Sequence, residues 1–138
     1  MSLVHDNIIT SYHVDFENDK LIMMTQFYNN EMILLENTEV VFDGYFTHKF
    51  NYGVKGSIIF DIKELPAHLF IKYEGELLKE TKNYGWPISY RTDDIFTEFI
   101  EFLISNKYKI FVISSSYGTC GFVVSKEMKI VMSKVLTT

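Results

Sequence analysis

Few residues in this chain could do chemistry: 138 residues hold four histidines and one cysteine. His5-Asp6 offers the two ligand types of a metal pair, and His13-Val14-Asp15 puts two polar side chains on one face of a strand. Two ligands do not hold an ion, and strands rather than ligand-presenting helices surround these histidines. No metal site and no cofactor are expected. His48 shares a strand face with Phe46 and Phe50, the setting of a half-buried histidine at the rim of a core. His68, beside Pro66, has no chemical neighbour. Cys120 reads as a small buried apolar residue in a hairpin. Ser114–Ser116 lack a nucleophile elbow, and Gly118-Thr119-Cys120-Gly121 has the wrong spacing for one. Neither a Gly-x-Gly-x-x-Gly turn nor a Walker loop can be written onto the chain. Asp93-Asp94 suits a helix start, and Asp43 and Asp61 suit solvated strand faces. A hydrolase would require His48 to converge with Asp61 or Cys120, and no catalytic residue is expected.

What remains is suited to binding. Tyr84-Gly-Trp-Pro-Ile-Ser-Tyr-Arg91 gathers the only Trp, the only Arg and two Tyr, in a stretch that Gly85 and Pro87 keep irregular. Trp, Tyr and Arg carry much of the energy of protein interfaces, because each offers rigid area with a polar handle. Tyr84, Trp86, Tyr90 and Arg91 are therefore candidate partner-binding residues, with Trp86 equally suited to plug the sheet. Tyr45 and Asp43, on the face of a strand opposite Phe42, are candidates to extend that surface.

The elements that must position these residues follow from periodicity. Glu39–Lys49 alternates strictly, with Val40, Phe42, Gly44, Phe46, His48 and Phe50 on one side, which predicts a single half-buried strand. Ile8–Phe16 alternates as well, Glu17–Lys20 turns, and Leu21–Tyr28 is apolar on both faces. Asn29-Asn30 turns the chain into a short strand at Met32–Leu35, Glu36-Asn37 turns it again, and another short strand follows at Ser57–Lys63 with Ile58, Phe60 and Ile62 inward. A meander is the simplest connection for these five strands. Ile95, Phe96, Phe99, Ile100 and Leu103 form a helical stripe behind Asp93-Asp94. Residues 64–82 favour a helix presenting Leu69, Phe70, Tyr73 and Leu77, although Gly75 weakens it and Leu69–Tyr73 also alternates as a strand would. A hairpin of Tyr108–Ser114 against Phe122–Leu136 closes the chain. The expectation is one α+β domain over 1–138: an antiparallel, half-barrel-like curled sheet of about seven strands with one or two helices packed on it.

Composition narrows the setting. Hydrophobic residues make up 47% and aromatic residues 16%, enough for a core without staples; a chain this long buries roughly 70% of its extended surface. The net charge of −5 disfavours nucleic acid, whose binding rests on Lys and Arg, and suits a basic protein partner. No charged leader with an apolar run opens the chain and no apolar stretch nears membrane-spanning length, so a cytoplasmic protein away from membranes is expected. Fifteen Ile and twelve Lys against one Ala and one Arg match the codon bias of a low-GC bacterial genome.

His5-Asp6-Asn7, the segment Ile9–Phe16 and Val41-Phe42-Asp43-Gly44 together resemble small bacterial cytosolic proteins of the immunity kind. The resemblance covers the first half of the chain, and the helical segment 64–105 has no counterpart in it. It implies a β-rich domain encoded beside a toxin or effector gene and acting by binding. The function expected is a non-enzymatic protein-binding module. The alternative is a carrier of a small apolar ligand, held in a cavity lined by Phe42, Phe46, Phe60 and Tyr12. An incompletely closed sheet with Ile22, Val41 and Tyr45 facing outward also predicts a homodimer.

Overall fold

A computed structural model describes residues 4–134, with backbone alone at 133–134. In chain order the elements are β1 (Ile8–Asp15), β2 (Lys20–Tyr28), β3 (Leu34–Asp43), β4 (Thr47–Asn51), β5 (Ile58–Leu65), α1 (Ala67–Thr81), α2 (Ile95–Ser105), β6 (Lys109–Tyr117), β7 (Cys120–Ser125) and β8 (Glu127–Lys134). The fold is α+β. One antiparallel eight-stranded sheet runs β4-β7-β6-β5-β1-β2-β3-β8.

The alternating stretch 39–50 is not one strand. β3 lies between β2 and β8, whereas β4 pairs with β7 at the other end of the order. The two ends are nevertheless joined through the chain, because β3 turns into β4 and β7 turns into β8 through Lys126. Asp43 opposes Glu127 and Thr47 opposes Val124, so four steps on one side face three on the other. That one-residue mismatch is a bulge, and bulges bend strands. Hydrogen bonds carry the ladder around the corner: Lys126 N donates to Asp43 O (2.9 Å), and Phe46 N donates to Val124 O (2.9 Å). Beyond the bend Tyr45, His48 and Phe50 keep to the inner side, while Phe46 turns outward into the helix layer.

The curl creates two cores that share β6 and β7. Phe111, Ile113 and Val123 point inward to Leu21, Met23, Val40, Phe42 and Ile59. Ile110, Phe122 and Val124 point outward to Phe70 and Leu78 of α1 and to Ile95, Phe99 and Leu103 of α2. Burial on both faces explains the unbroken apolar run Ile110–Ile113. Each fully buried Leu, Phe or Ile here contributes about 1.5–3 kcal/mol. Asp94 caps α2 by accepting from Thr97 N. Gly75, which weakens α1 intrinsically, leaves room for the Phe96 ring: a Cβ there would lie 3.2 Å from its Cζ.

Several expectations are corrected. The meander holds for β1–β2–β3, but β5 pairs with β1 and β6, and β4 with β7. The turn expected at Asn29-Asn30 forms, with Asn29 Oδ1 accepting from Glu31 N and Ile33 N, but the second one expected at Glu36-Asn37 does not, because both residues lie inside β3. Bulges in β5 around Ile59 turn Ile59 and Ile62 inward and leave Phe60 48% exposed. Within 64–82 the favoured helix forms over Ala67–Thr81, while Glu64 and Leu65 end β5; Tyr73 is exposed, and Phe70, Gly75 and Leu78 are the buried positions. The final hairpin partner splits at Lys126, so that β7 pairs with β6 and β8 with β3. Val135 and Leu136 of that expected strand lie outside the described residues.

Gly121, between Phe50 and Ile113 in the ladder, has φ +153°, and a Cβ there would collide with the Lys49 carbonyl. The obstacle is backbone, so it cannot swing aside. Gly121→Ala is expected to lower unfolding free energy by about 2–4 kcal/mol, measured by urea denaturation; a change under about 0.5 kcal/mol would refute this account of the ladder.

Candidate functional site

The 84–91 loop connects a 3-10 turn at Lys82–Tyr84 to α2, and the structure separates its residues into anchors and surface. Trp86 is an anchor. Its Nε1 donates to Thr47 Oγ1 at 2.8 Å, and its ring sits 6.2 Å from that of Phe122, on the outer face of the sheet. Tyr90 is half-buried, with a hydroxyl that is buried without a hydrogen-bond partner. Burial, with the Glu98 charge adding to it, pushes that hydroxyl's pKa up to about 12. Tyr84 (85% exposed) and Arg91 face solvent.

Glu98, in the first turn of α2, holds the loop's exit. Its carboxylate accepts from Arg91 N (2.8 Å), Thr92 N (2.8 Å) and Thr92 Oγ1 (2.7 Å). These bonds, the Arg91 N–H foremost, hold its pKa below the usual range. Between the loop and α2 lies an open groove of about 660 Å³. Phe46, Ile88 and Phe102 supply its apolar lining, and Arg91, Glu98 and Glu101 its charges. Arg91 also borders a smaller, polar depression with Lys82, Asn83 and Thr92. Sequence reasoning finds the loop but misses Phe46, Phe102 and Glu98. An acid in the first turn suits the helix dipole, which accounts for Glu98 on α2 but not for its reach back to the Arg91 and Thr92 amides; nothing local announces that Phe46 leaves the inner face.

The other two candidates lie elsewhere. Asp43 is tied into the sheet, with Lys129 Nζ at 3.2 Å and Lys20 Nζ at 3.8 Å. The hydrogen bond to Asp43 raises the Lys129 pKa. Tyr45 is buried rather than outward, and its hydroxyl bonds His48 Nδ1 at 2.7 Å. Tyr12, His48 and Phe50 stack edge-on and tilted around that pair, with ring centroids 4.9–6.0 Å apart. Desolvation lowers the His48 pKa and raises that of Tyr45.

The remaining candidate chemistry is dispersed. His48 opposes the inward Val123, whereas Cys120 lies two residues from the outward Phe122 and borders a groove beside α1, so the two face opposite sides of the sheet. Asp61 Oδ1 accepts from Ile62 N. His5 Nδ1 is 2.7 Å from the Phe60 carbonyl, and its Nε2 is 3.3 Å from Asp6, which makes that dipeptide a staple between chain start and β5. Among the described residues no three His, Cys, Asp or Glu side chains converge on one point, and no helix is long and apolar enough to cross a membrane. Of the four residues expected to line a ligand cavity, Phe42 alone is in the inner core; Phe46 is in the helix layer, and Tyr12 and Phe60 are exposed. Comparison with family models, curated proteins and solved structures gives no match for this chain.

Two predictions follow from this geometry. Trp86→Ala removes packing and leaves Thr47 without its donor, and should cost about 2–3 kcal/mol of stability by thermal or urea unfolding; an unchanged midpoint would contradict the anchoring role. The His48 pKa lies below its unfolded value of 6.5, so the unfolded chain takes up the proton first as pH falls. Stability tied to His48 is therefore present above about pH 6.5 and is lost as the pH falls below it. Between pH 7.5 and 5.5 wild type should lose more stability than His48→Phe, and parallel pH profiles of the two proteins would count against it.

Proposed function

We propose that this protein is a non-enzymatic, protein-binding module of a bacterial cytoplasm, and that it binds through the groove between the 84–91 loop and α2. The observation that carries this reading is the groove itself: an apolar lining of Phe46, Ile88 and Phe102, rimmed by Arg91 and Glu101, with Tyr84 exposed beside it. Aromatic and Arg side chains around an apolar centre are the usual make-up of an interface hot region. Trp86 and Glu98 support the reading from beneath, because they fix the loop before any partner arrives. The acidic net charge and the exposed Glu101 favour a partner segment with basic residues flanking an apolar one. The resemblance in the first half of the chain points to the same class, an immunity-type binder.

The test begins with affinity capture from the source cell and identification of the recovered protein, followed by calorimetry with that protein purified. Tyr84→Ala and Arg91→Ala alter exposed side chains and should leave the fold intact. If each is a hot spot, it lowers affinity by about 2 kcal/mol, roughly 30-fold. Unchanged affinity in both variants would remove the groove from the function.

A further inference from the structure

A second surface, independent of the groove, comes from the edge of β1. β1 pairs with β5 through Ile8↔Ile58, supported by Ile9 N donating to Ser57 O at 2.8 Å. β2 pairs with β1 as far as Asp15, with Thr10 bulged out of register. From Thr10 to Asp15, β1 therefore has one hydrogen-bonded partner strand among the described residues; its other edge carries no strand, and the Tyr12 ring there leans on His48 and Phe50 while Phe16 lies 6.3 Å from Tyr45. Beside the start of that edge lies an open groove of about 550 Å³, between Ile8–Tyr12 and the loop Gly53–Ser57, with Val54 and Lys55 on its far wall.

An unpaired edge presents a row of backbone donors and acceptors that only another extended strand can match. The sequence and charge at this place fit a second copy of β1. Antiparallel pairing about a twofold axis between Tyr12 and His13 sets Ser11 opposite Val14 and Thr10 opposite Asp15, with no like charges facing. The same register brings Phe16 beside Ile9 of the other copy, where the groove lies, and Glu17 toward Lys55. Phe16 is 77% exposed and Val54 45% exposed. Neither Glu17 nor Lys55 has an ion-pair partner within the described chain. The turn that carries Phe16 is held in shape: Asp15 accepts from Glu17 N, Asn18 N and Asn18 Nδ2. We propose that two copies of this chain associate by joining their β1 strands edge to edge, each seating Phe16 in the other's groove beside Val54 and setting Glu17 against Lys55. This is an isologous interface, closed by its own symmetry. It replaces the dimer surface expected from Ile22, Val41 and Tyr45, of which Tyr45 is buried.

Light scattering and sedimentation equilibrium of the whole chain test it. At about 50 µM, above the micromolar dissociation constant of a small interface, wild type should have twice the 16.2 kDa mass of one chain. Phe16→Asp should raise the dimer dissociation constant more than about tenfold, with circular dichroism unchanged because the residue is exposed. Lys55→Glu should weaken the dimer and Lys55→Glu/Glu17→Lys should restore it, a pattern that misfolding cannot produce. A wild-type mass of 16.2 kDa, a Phe16→Asp dimer as tight as wild type, or failure of the charge exchange to restore association would each overturn the proposal.

Discussion

The structure depends on one bent ladder. β3 and β4 form one arm, β7 and β8 the other, and the one-residue mismatch between Asp43–Thr47 and Val124–Glu127 lets both turn the same corner. Without the corner, β4 could not lie beside β7 while β3 lies beside β2, and the sheet would be flatter and open on both faces. With it, the inner face wraps Phe42, Met23 and Val123, and the outer face of β6 and β7 is left free for the helices. The bend also turns Phe46 outward onto Phe102 and Tyr108 at 4.8 and 5.3 Å. A local register change thus supplies both the inner core and the floor of the groove.

The weakest join in the sheet is between β1 and β5, where the ladder shrinks to one residue pair. Side chains compensate. Asn7 Nδ2 donates to Thr25 Oγ1, which donates to the Thr38 carbonyl, carrying the join across β2 to β3. Ser57 Oγ donates to Val54 O and accepts from Thr119 N, pinning the 53–57 loop to the turn after β6. Asn7, Thr25, Ser57 and Thr119 are buried, so each of these bonds also avoids the 1–3 kcal/mol cost of a polar group left dry and unpaired. These side chains brace a short backbone seam, in which Asp6 N donates to Ile59 O, Ile59 N to Asn7 O and Ile9 N to Ser57 O.

How much of this was legible in the sequence depends on the range of the interaction. Alternation reports which neighbours share a face, and it located β1, β5 and the inward Val40 and Phe42, whereas β2 was legible as a run apolar on both faces. The helical stripe and Asp94 located α2 for the same reason. A bulge has no such signal, because it is set by a partner strand distant in sequence. Hence Phe60 was placed inside when Ile59 is, and 39–50 read as straight. The inward parity of His48 and Phe50 survived by cancellation: Phe42 to Tyr45 and Tyr45 to His48 are each three residues, an even total. Sheet order was illegible for a related reason, since β4 and β8 choose partners by where the bend takes them. At the candidate site the loop was legible from composition, but whether Trp86 faces inward or outward was not, because Thr47 and Phe122 are far from it in sequence.

The division of labour within the loop bears on what such a surface can do. Trp86 and Glu98 spend their polar groups on the protein itself, one on Thr47 Oγ1 and the other on the Arg91 and Thr92 amides. Tyr84 and the Arg91 side chain are exposed to solvent, the Arg91 charge acting on the nearby Glu98 carboxylate. A loop of Gly, Pro and Ser without those inward bonds would sample many conformations, and ordering it on contact would oppose association by about 0.5–1.5 kcal/mol for each immobilised side chain. Anchoring from the sheet side moves that cost into folding. The same logic holds at the β1–β2 turn, where Asp15 fixes the backbone and Phe16 is left outside. In both places the residue available for contact is carried by a neighbour whose hydrogen bonds are satisfied within the chain, the condition under which an exposed aromatic side chain is presented in a defined position.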